Sequence, residues 1–312
     1  MATDVLSVAE VAEPTVGPGE VLVRVEAAGV AKGNWLITRG LPYIARPLYG
    51  IRKPKHRVAG LQFAGTVAAL GEGVDGLEID DAVFGFHPGA FAERVAAPAA
   101  ALARVPAGIE LEQAAATPIS GMAALQAVRD AGRVRPGRRV LVIGASGGVG
   151  SFAVQIAKAF GANVTGVAST RNLDTVRELG ADHVVDYTRE DPLAGRPGYD
   201  VIVDIAGNRP VSRLRRALAP GGTLAIVGGT GSRWTMGFGR TIGGVLVGRF
   251  VRERIVAVLA AANEKDLGVL ADLMAAGKLR PLVRPAEPLD SAAEVVEMVG
   301  AGHGAGTMIL AP

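Results

Sequence analysis

The residues of this chain best placed to do chemistry are a run of glycines. In VLVIGASGGVGSFAVQIAKAFGANVTGV, the residues Ala145, Gly147 and Gly150 stand at the interval of a dinucleotide-binding fingerprint, with Ala in the place of the first glycine. The interval meets three demands: a tight turn, a backbone close enough for its amides to reach a pyrophosphate, and a helix N-terminus whose dipole favours negative charge. Gly147 and Gly148 lack the Cβ that would block such an approach. The run follows an apolar strand, opens a helix, and is followed by a second strand that ends about 20 residues on. The competing reading is a tight strand-to-helix turn that holds nothing. Where that second strand ends, a site for NAD would place a carboxylate on the ribose 2′-hydroxyl. The sequence there reads Ala168, Ser169, Thr170, Arg171, Asn172, which suits a phosphate better than a diol. Arg171 has a second reading, as a solvated residue at a helix start.

Other chemistries are excluded by composition. The 312 residues include no cysteine, which removes disulfides, thiolate nucleophiles and every cysteine-based metal site, so redox work must come from a cofactor. Four histidines, His56, His87, His183 and His303, are scattered without carboxylate spacing and make no metal site. The net charge of +3 is weak. The densest basic run, IRKPKHR at 51–57, is short, broken by Pro54 and free of aromatics, which reads as a solvated loop rather than a nucleic-acid surface. The first ten residues show neither a basic start nor an apolar run, so the expectation is a cytoplasmic protein. The longest weakly charged stretch, 234–248, falls short of the ~20 apolar residues that cross a bilayer.

The elements that must position the glycine run are those of an α/β protein. The length favours two domains, and 49% hydrophobic residues with 43 glycines fit a globular chain with many tight turns. Over 21–105, short β-rich runs (VLVRVEAAGV, LQFAGTVAALG, DAVFGF, FAERVAA) alternate with Gly and Pro, as in a distorted barrel. An Ala-rich helical segment opens near Glu110, is interrupted by Pro118 and Gly121, and gives way to a second helix over 122–131. From Arg139, the strands RVLVI, NVTGV, HVVDY, VIVDIAG and TLAIVGG alternate with helices over 149–160, 172–179 and 211–218, the pattern of a doubly wound parallel sheet. Ala153, Ile156, Ala157 and Phe160 form one apolar helical stripe and belong to the core. A helix, a short strand near Leu282, another helix and a closing strand TMILA end the chain.

This order of parts resembles the medium-chain dehydrogenase/reductase superfamily, and within it the zinc-independent, quinone-oxidoreductase-like branch. The resemblance runs through EVLVRVEAAGV, GLQFAGTVAALGEGV, GAFAERVAAPAAALARVP, GASGGVG, LGADHVVDY, YDVIVDIAGN and LAPGGTLAIVGG. It implies a GroES-like β-rich domain over 1–118, a Rossmann domain over 119–258 and a segment over 259–312 that returns to the first domain. It also implies that Ser146, Gly147, Gly148 and Val149 contact the pyrophosphate of NADPH, that Ser169, Arg171 and Tyr187 surround the 2′-phosphate, and that Val227, Gly228 and Gly229 border the nicotinamide. Tyr187 reads equally well as a half-buried strand residue. Substrate pockets in this architecture are lined by the loops after Gly33, by residues 43–55 and by residues 234–250.

The departures from the family pattern also matter. Ala31 and Leu61-Gln62 stand where zinc-bearing relatives carry Cys and His-Glu, so no catalytic or structural zinc is expected. What remains is hydride transfer to a quinone or an α,β-unsaturated carbonyl. Gln62 replaces an Asp of the branch and Thr307 a Lys near the last strand, which removes polarity from the site. The chain starts later than its relatives; the missing first strand leaves an edge unpaired unless residues 5–11 fill it. Hydride transfer needs positioning more than acid–base groups, so the proton-donor candidates, Lys32, Asn34 and Tyr43 with Tyr49 and His56, are each open to a packing or surface reading. A homodimer is expected through the apolar stretch 236–248. The alternative function is a cofactor-binding redox sensor or scaffold with little turnover.

Overall fold

The computed structural model describes residues 5–51, 54–194, 198–229, 233–302 and 304–312. Arg52 and Lys53 of the basic run, and His303, lie outside them. In chain order the elements are β1 (Glu20–Val30), α1 (Lys32–Thr38), α2 (Arg46–Tyr49), β2 (Gln62–Leu70), β3 (Ala82–Phe86), β4 (Arg94–Pro98), β5 (Leu102–Arg104), α3 (Leu111–Leu125), β6 (Arg139–Ile143), α4 (Gly148–Ala159), β7 (Asn163–Ala168), α5 (Leu173–Glu178), β8 (His183–Asp186), β9 (Tyr199–Asp204), α6 (Val211–Arg216), β10 (Leu218–Ile226), α7 (Phe238–Gly248), β11 (Arg254–Ala257), α8 (Glu264–Ala275), β12 (Val283–Pro288), α9 (Ala292–Ala301) and β13 (Thr307–Ala311). They form two compact units, the chain up to Met122 with Ala262–Pro312, and Ala123–Ala261.

The first unit is built on a sheet in the order β12-β13-β1-β2-β3-β5, with β4 also on β1. β1 alternates apolar residues inward, and Val21, Val23, Val25 and Val30 meet Phe63, Val67, Val83 and Val95 in one core. α9 adds Val295 and Val296 to that core. β1 is not an edge strand; the sheet path ends at β12 and β5. One side of β1 pairs with β2, and the other is shared by β4 over Glu20–Arg24 and by β13 over Ala28–Val30. Residues 5–11 form no strand, and Val5, Val8 and Val11 are exposed.

Pro118 and Gly121 do not break the helix as expected; α3 runs through both and continues as a π-helical turn, Gln126–Ala131. The reason is a side chain from the sheet. Gln62, fully buried, accepts the Ile119 amide on Oε1 at 2.8 Å, in place of a helical carbonyl. Its carboxamide lies so close to Gly29 that a Cβ there would come within 2.3 Å of Nε2. The helix distortion at proline is thus satisfied by a hydrogen bond rather than by a break.

The second unit is a parallel sheet in the order β11-β10-β9-β6-β7-β8, a Rossmann arrangement whose strand order reverses between β6 and β9. Val140, Leu141, Val142 and Ile143 of β6 are all buried, as a strand covered on both faces requires. α4 buries Phe152, Ala153, Ile156 and Ala157 completely, while Phe160 at its end is only half-buried. Two elements of this unit have no counterpart in the sequence reading: the edge strand β11, and α7, which forms from the stretch 238–248. No helix among the described residues is long and apolar enough to cross a membrane.

Candidate functional site

In an open parallel sheet, ligands bind beyond the carboxyl ends of the strands where the order reverses. In the second unit this crevice is framed by the loops after β6, β7, β8, β9 and β10, and the residues singled out in the glycine run fall on it. Ile143 of β6 is in register with Val167 of β7 on one side and Asp204 of β9 on the other. The turn begins at Gly144, whose φ of 89° is left-handed and natural only to glycine. The amides of Gly144 and Ala145 both return to the Val167 carbonyl, at 3.2 and 3.0 Å.

Gly147 is the N-cap of α4, extended at φ −76° and ψ 175°, and no side chain caps the helix. The amides of Gly148, Val149 and Gly150 therefore begin the helix without an intrahelical acceptor. A Cβ on Gly147 would meet nothing nearer than the Gly144 carbonyl at 3.5 Å, so its side-chain direction is open space at the mouth of the turn. Gly150 is the opposite case. A Cβ there would lie 2.0 Å from the Gly144 oxygen, so this glycine lets the helix sit down on the turn. The pair divides the fingerprint into an approach position and a packing position, and open space in front of free amides fits a pyrophosphate.

The loop after β7 is tied to this turn. Asn172 Nδ2 donates to Ser146 Oγ at 3.1 Å and to Ser169 Oγ at 3.4 Å. Arg171 is exposed and meets no partner among the described residues, which leaves its guanidinium available to an anion. Thr170, expected to donate to a phosphate, does something else. Its hydroxyl donates to Asp186, the last residue of β8, and lies 3.1 Å from the Thr188 hydroxyl. Thr188 donates to Asp186 with its amide at 2.9 Å and its hydroxyl at 2.7 Å, and Arg189 stands 3.6 Å away. These donors, the Thr170 hydroxyl foremost, hold the Asp186 carboxyl below the usual carboxylate range although burial pushes the other way. Sequence reasoning passed over Asp186; a lone Asp at the end of HVVDY carries no signal until Ala168 is seen to be its register partner. Tyr187, beside it, is more exposed than a half-buried strand residue, at 53%.

On the other side of β6, Asp204 ends β9 and is fully buried. Its carboxylate accepts the Gly207 amide at 3.1 Å, and its backbone carbonyl accepts the amides of Val227 and Gly228 at 3.0 and 3.2 Å. Gly228 could carry no side chain, because a Cβ would sit 1.8 Å from the Ile205 carbonyl. Val227, Gly228 and Gly229 thus lie beside the Ile205–Gly207 turn. Asp204 is completed by Arg240 of α7, which forms an ion pair with it.

Of the proton-donor candidates in the first unit, Lys32 and Asn34 have their polar groups engaged by structure. The Lys32 ammonium donates to the Gly300 carbonyl and lies 4.5 Å above the Trp35 ring, and its partial burial lowers its pKa from the ordinary lysine value. Asn34 is buried, and its Oδ1 takes the Ala31 amide at 2.8 Å. The Tyr43 ring is covered by the Arg46 guanidinium at 4.5 Å. Tyr49 is half-buried and His56 exposed. Thr307 is buried, and Gln62 gives its Oε1 to α3; the Thr307 hydroxyl and the buried Gln62 Nε2 meet no partner among the described residues. Among the described residues no three His, Asp or Glu side chains gather as a metal-binding group.

The chain matches two protein families: residues 17–107 match the alcohol dehydrogenase GroES-like domain, and residues 148–262 the zinc-binding dehydrogenase family. It is 33% identical over 316 residues to a quinone oxidoreductase of Sus scrofa, covering 96% of this chain and 92% of that protein. Among solved structures, a quinone oxidoreductase from Coxiella burnetii superposes with a TM-score of 0.83 at 26% identity, covering 97% of this chain and 93% of the other. A quinone oxidoreductase of Escherichia coli complexed with NADPH has the same fold, with a TM-score of 0.81 at 24% identity over 99% of this chain and 96% of its own.

Proposed function

This chain belongs to the medium-chain dehydrogenase/reductase superfamily, in its quinone-oxidoreductase-like branch, and we propose that it is a zinc-independent oxidoreductase that passes a hydride from NADPH to a quinone or an α,β-unsaturated carbonyl. The observation that carries the reading is the open Cβ position of Gly147 in front of the uncapped amides of Gly148, Val149 and Gly150. Those amides would hold the pyrophosphate, with Ala145, Ser146 and Gly150 shaping the turn. Ser169 and the unpartnered Arg171 would take the 2′-phosphate, with the exposed Tyr187 beside them. Val227, Gly228 and Gly229 would border the nicotinamide. The hydride chemistry belongs to the cofactor; the residues named here bind and orient it.

Zinc independence rests on the donor set. Ala31 offers a methyl group, Leu61 an isobutyl group, and Gln62 a carboxamide already bonded to Ile119, none of them a zinc ligand. Lys32 and Asn34 are held in structural contacts, and a quinone can take its protons from water, so no side chain need act as the donor. A second copy of this chain is the partner we propose, through the exposed stripe of Ile242 and Leu246 on α7, with Phe250 just beyond the helix. The test of the function is NADPH oxidation followed at its absorbance band against a panel of quinones and enones. Steady turnover with at least one electron-poor acceptor, undiminished by a zinc chelator, is expected. Tight NADPH binding without turnover across the panel would instead mark a sensor or scaffold.

A further inference from the structure

Arg240 stands in a stretch that reads as apolar, yet its side chain is buried to 17% exposure against Asp204 at the end of β9. Nη2 donates to Asp204 Oδ2, and Nε donates to the Arg209 carbonyl at 2.8 Å. Nη1 is buried and meets no acceptor among the described residues. Arg240 supplies the countercharge that the fully buried Asp204 carboxylate needs, at the cost of one unmet donor. Its place gives the pair a second consequence. Through Asp204 it braces the Gly207 amide, and through the same residue's carbonyl it is coupled to Val227 and Gly228.

We infer that Arg240 is a positioning residue for the nicotinamide half of the dinucleotide: held on Asp204 and on the Arg209 carbonyl, it sets the Gly207 and Gly228 loops that border that half. The inference rests on the NADPH reading given above. It assigns the two halves of the cofactor to different sides of β6. Ser169 and Arg171 follow β7, on one side, while Asp204 and Gly228 follow β9 and β10, on the other. A defect at Arg240 therefore reaches the nicotinamide half and spares the adenosine half.

The experiment is calorimetric titration of NADPH and of 2′,5′-ADP, which carries only the adenosine half, into wild type and Arg240→Lys. Lysine keeps a cation against Asp204 but loses the planar fork that donates to Asp204 and to the Arg209 carbonyl together. NADPH should bind about tenfold more weakly or worse, the worth of a charge-assisted hydrogen bond, while 2′,5′-ADP keeps its affinity within about twofold. Should Arg240→Lys fail to fold by circular dichroism, the neutral pair Asp204→Asn with Arg240→Gln is titrated instead, with the same split expected. Equal loss of both ligands means that Arg240 only stabilises the fold, and unchanged NADPH affinity means that the Arg240–Asp204 pair does not set the loops for the cofactor; either overturns the inference. If wild type binds neither ligand, it is the cofactor reading that has failed, and the inference falls with it.

Discussion

Gly147 and Gly150 differ by three positions in the sequence and by opposite physical roles in the structure, so substituting them should separate binding from folding. At Gly147 the backbone is extended and a Cβ meets only one oxygen, at an ordinary 3.5 Å. Gly147→Val should therefore fold and melt within a few degrees of wild type, since losing a glycine N-cap changes helix stability by only about a kcal/mol or less. The added methyl groups occupy the space through which the Gly148 and Val149 amides would reach a pyrophosphate. Losing even one hydrogen bond to a charged group costs about 1.5 to 3 kcal/mol, so NADPH affinity should fall at least about tenfold. At Gly150 the Cβ lies 2.0 Å from a backbone oxygen, which cannot swing aside as a side chain could. The start of α4 must retreat by about 1.4 Å to restore contact distance, and overpacking of this kind costs about 1 to 3 kcal/mol or more. For a unit of this size that is a drop of several degrees in melting temperature with even Gly150→Ala. Circular-dichroism melts and calorimetric titration with NADPH read both quantities. A folded Gly147→Val that binds NADPH like wild type would refute the site, and a Gly150→Ala that melts like wild type would refute the packing argument.

Arg171→Ala should raise the NADPH dissociation constant about tenfold while leaving that of NADH unchanged, and the wild-type preference for NADPH should shrink as salt rises, because Arg171 is exposed; equal weakening of both cofactors in titration would refute it. Asp186 has its folded pKa held down, so its contribution to stability is present above its unfolded value of about 4 and is lost as the pH falls through the folded value. In urea titrations, Asp186→Asn should therefore lose stability at neutral pH and show a flatter decline below about pH 4 than wild type. Light scattering should find a dimer at micromolar concentration, and Leu246→Glu, which puts a charge in the stripe on α7, should give a folded monomer.

What the sequence made legible was the architecture that follows from local pattern. The alternation of β6, β7, β9 and β10 with amphipathic helices, and the glycine interval after β6, are properties of contiguous residues. So the α/β class, the parallel sheet and the place of the turn could all be read. Within the turn, sequence could say that Gly147 and Gly150 matter but not that they matter differently, because the difference is the position of the Gly144 oxygen. The misreadings share one cause, a side chain whose partner is far along the chain. Pro118 suggests a break until Gln62, 57 residues away, supplies the acceptor that Ile119 needs. Thr170 looks like a phosphate donor until Asp186 claims its hydroxyl. The stretch 234–248 looks merely apolar, because Arg240 is a single charge among glycines and aliphatics, and its meaning depends on Asp204, 36 residues earlier. Departures from a family pattern are open to the same correction. Gln62 reads in the sequence as polarity lost from a site, whereas in the fold it is polarity spent on a helix, and what a missing carboxylate removes from chemistry cannot be weighed until the replacement's own work is known.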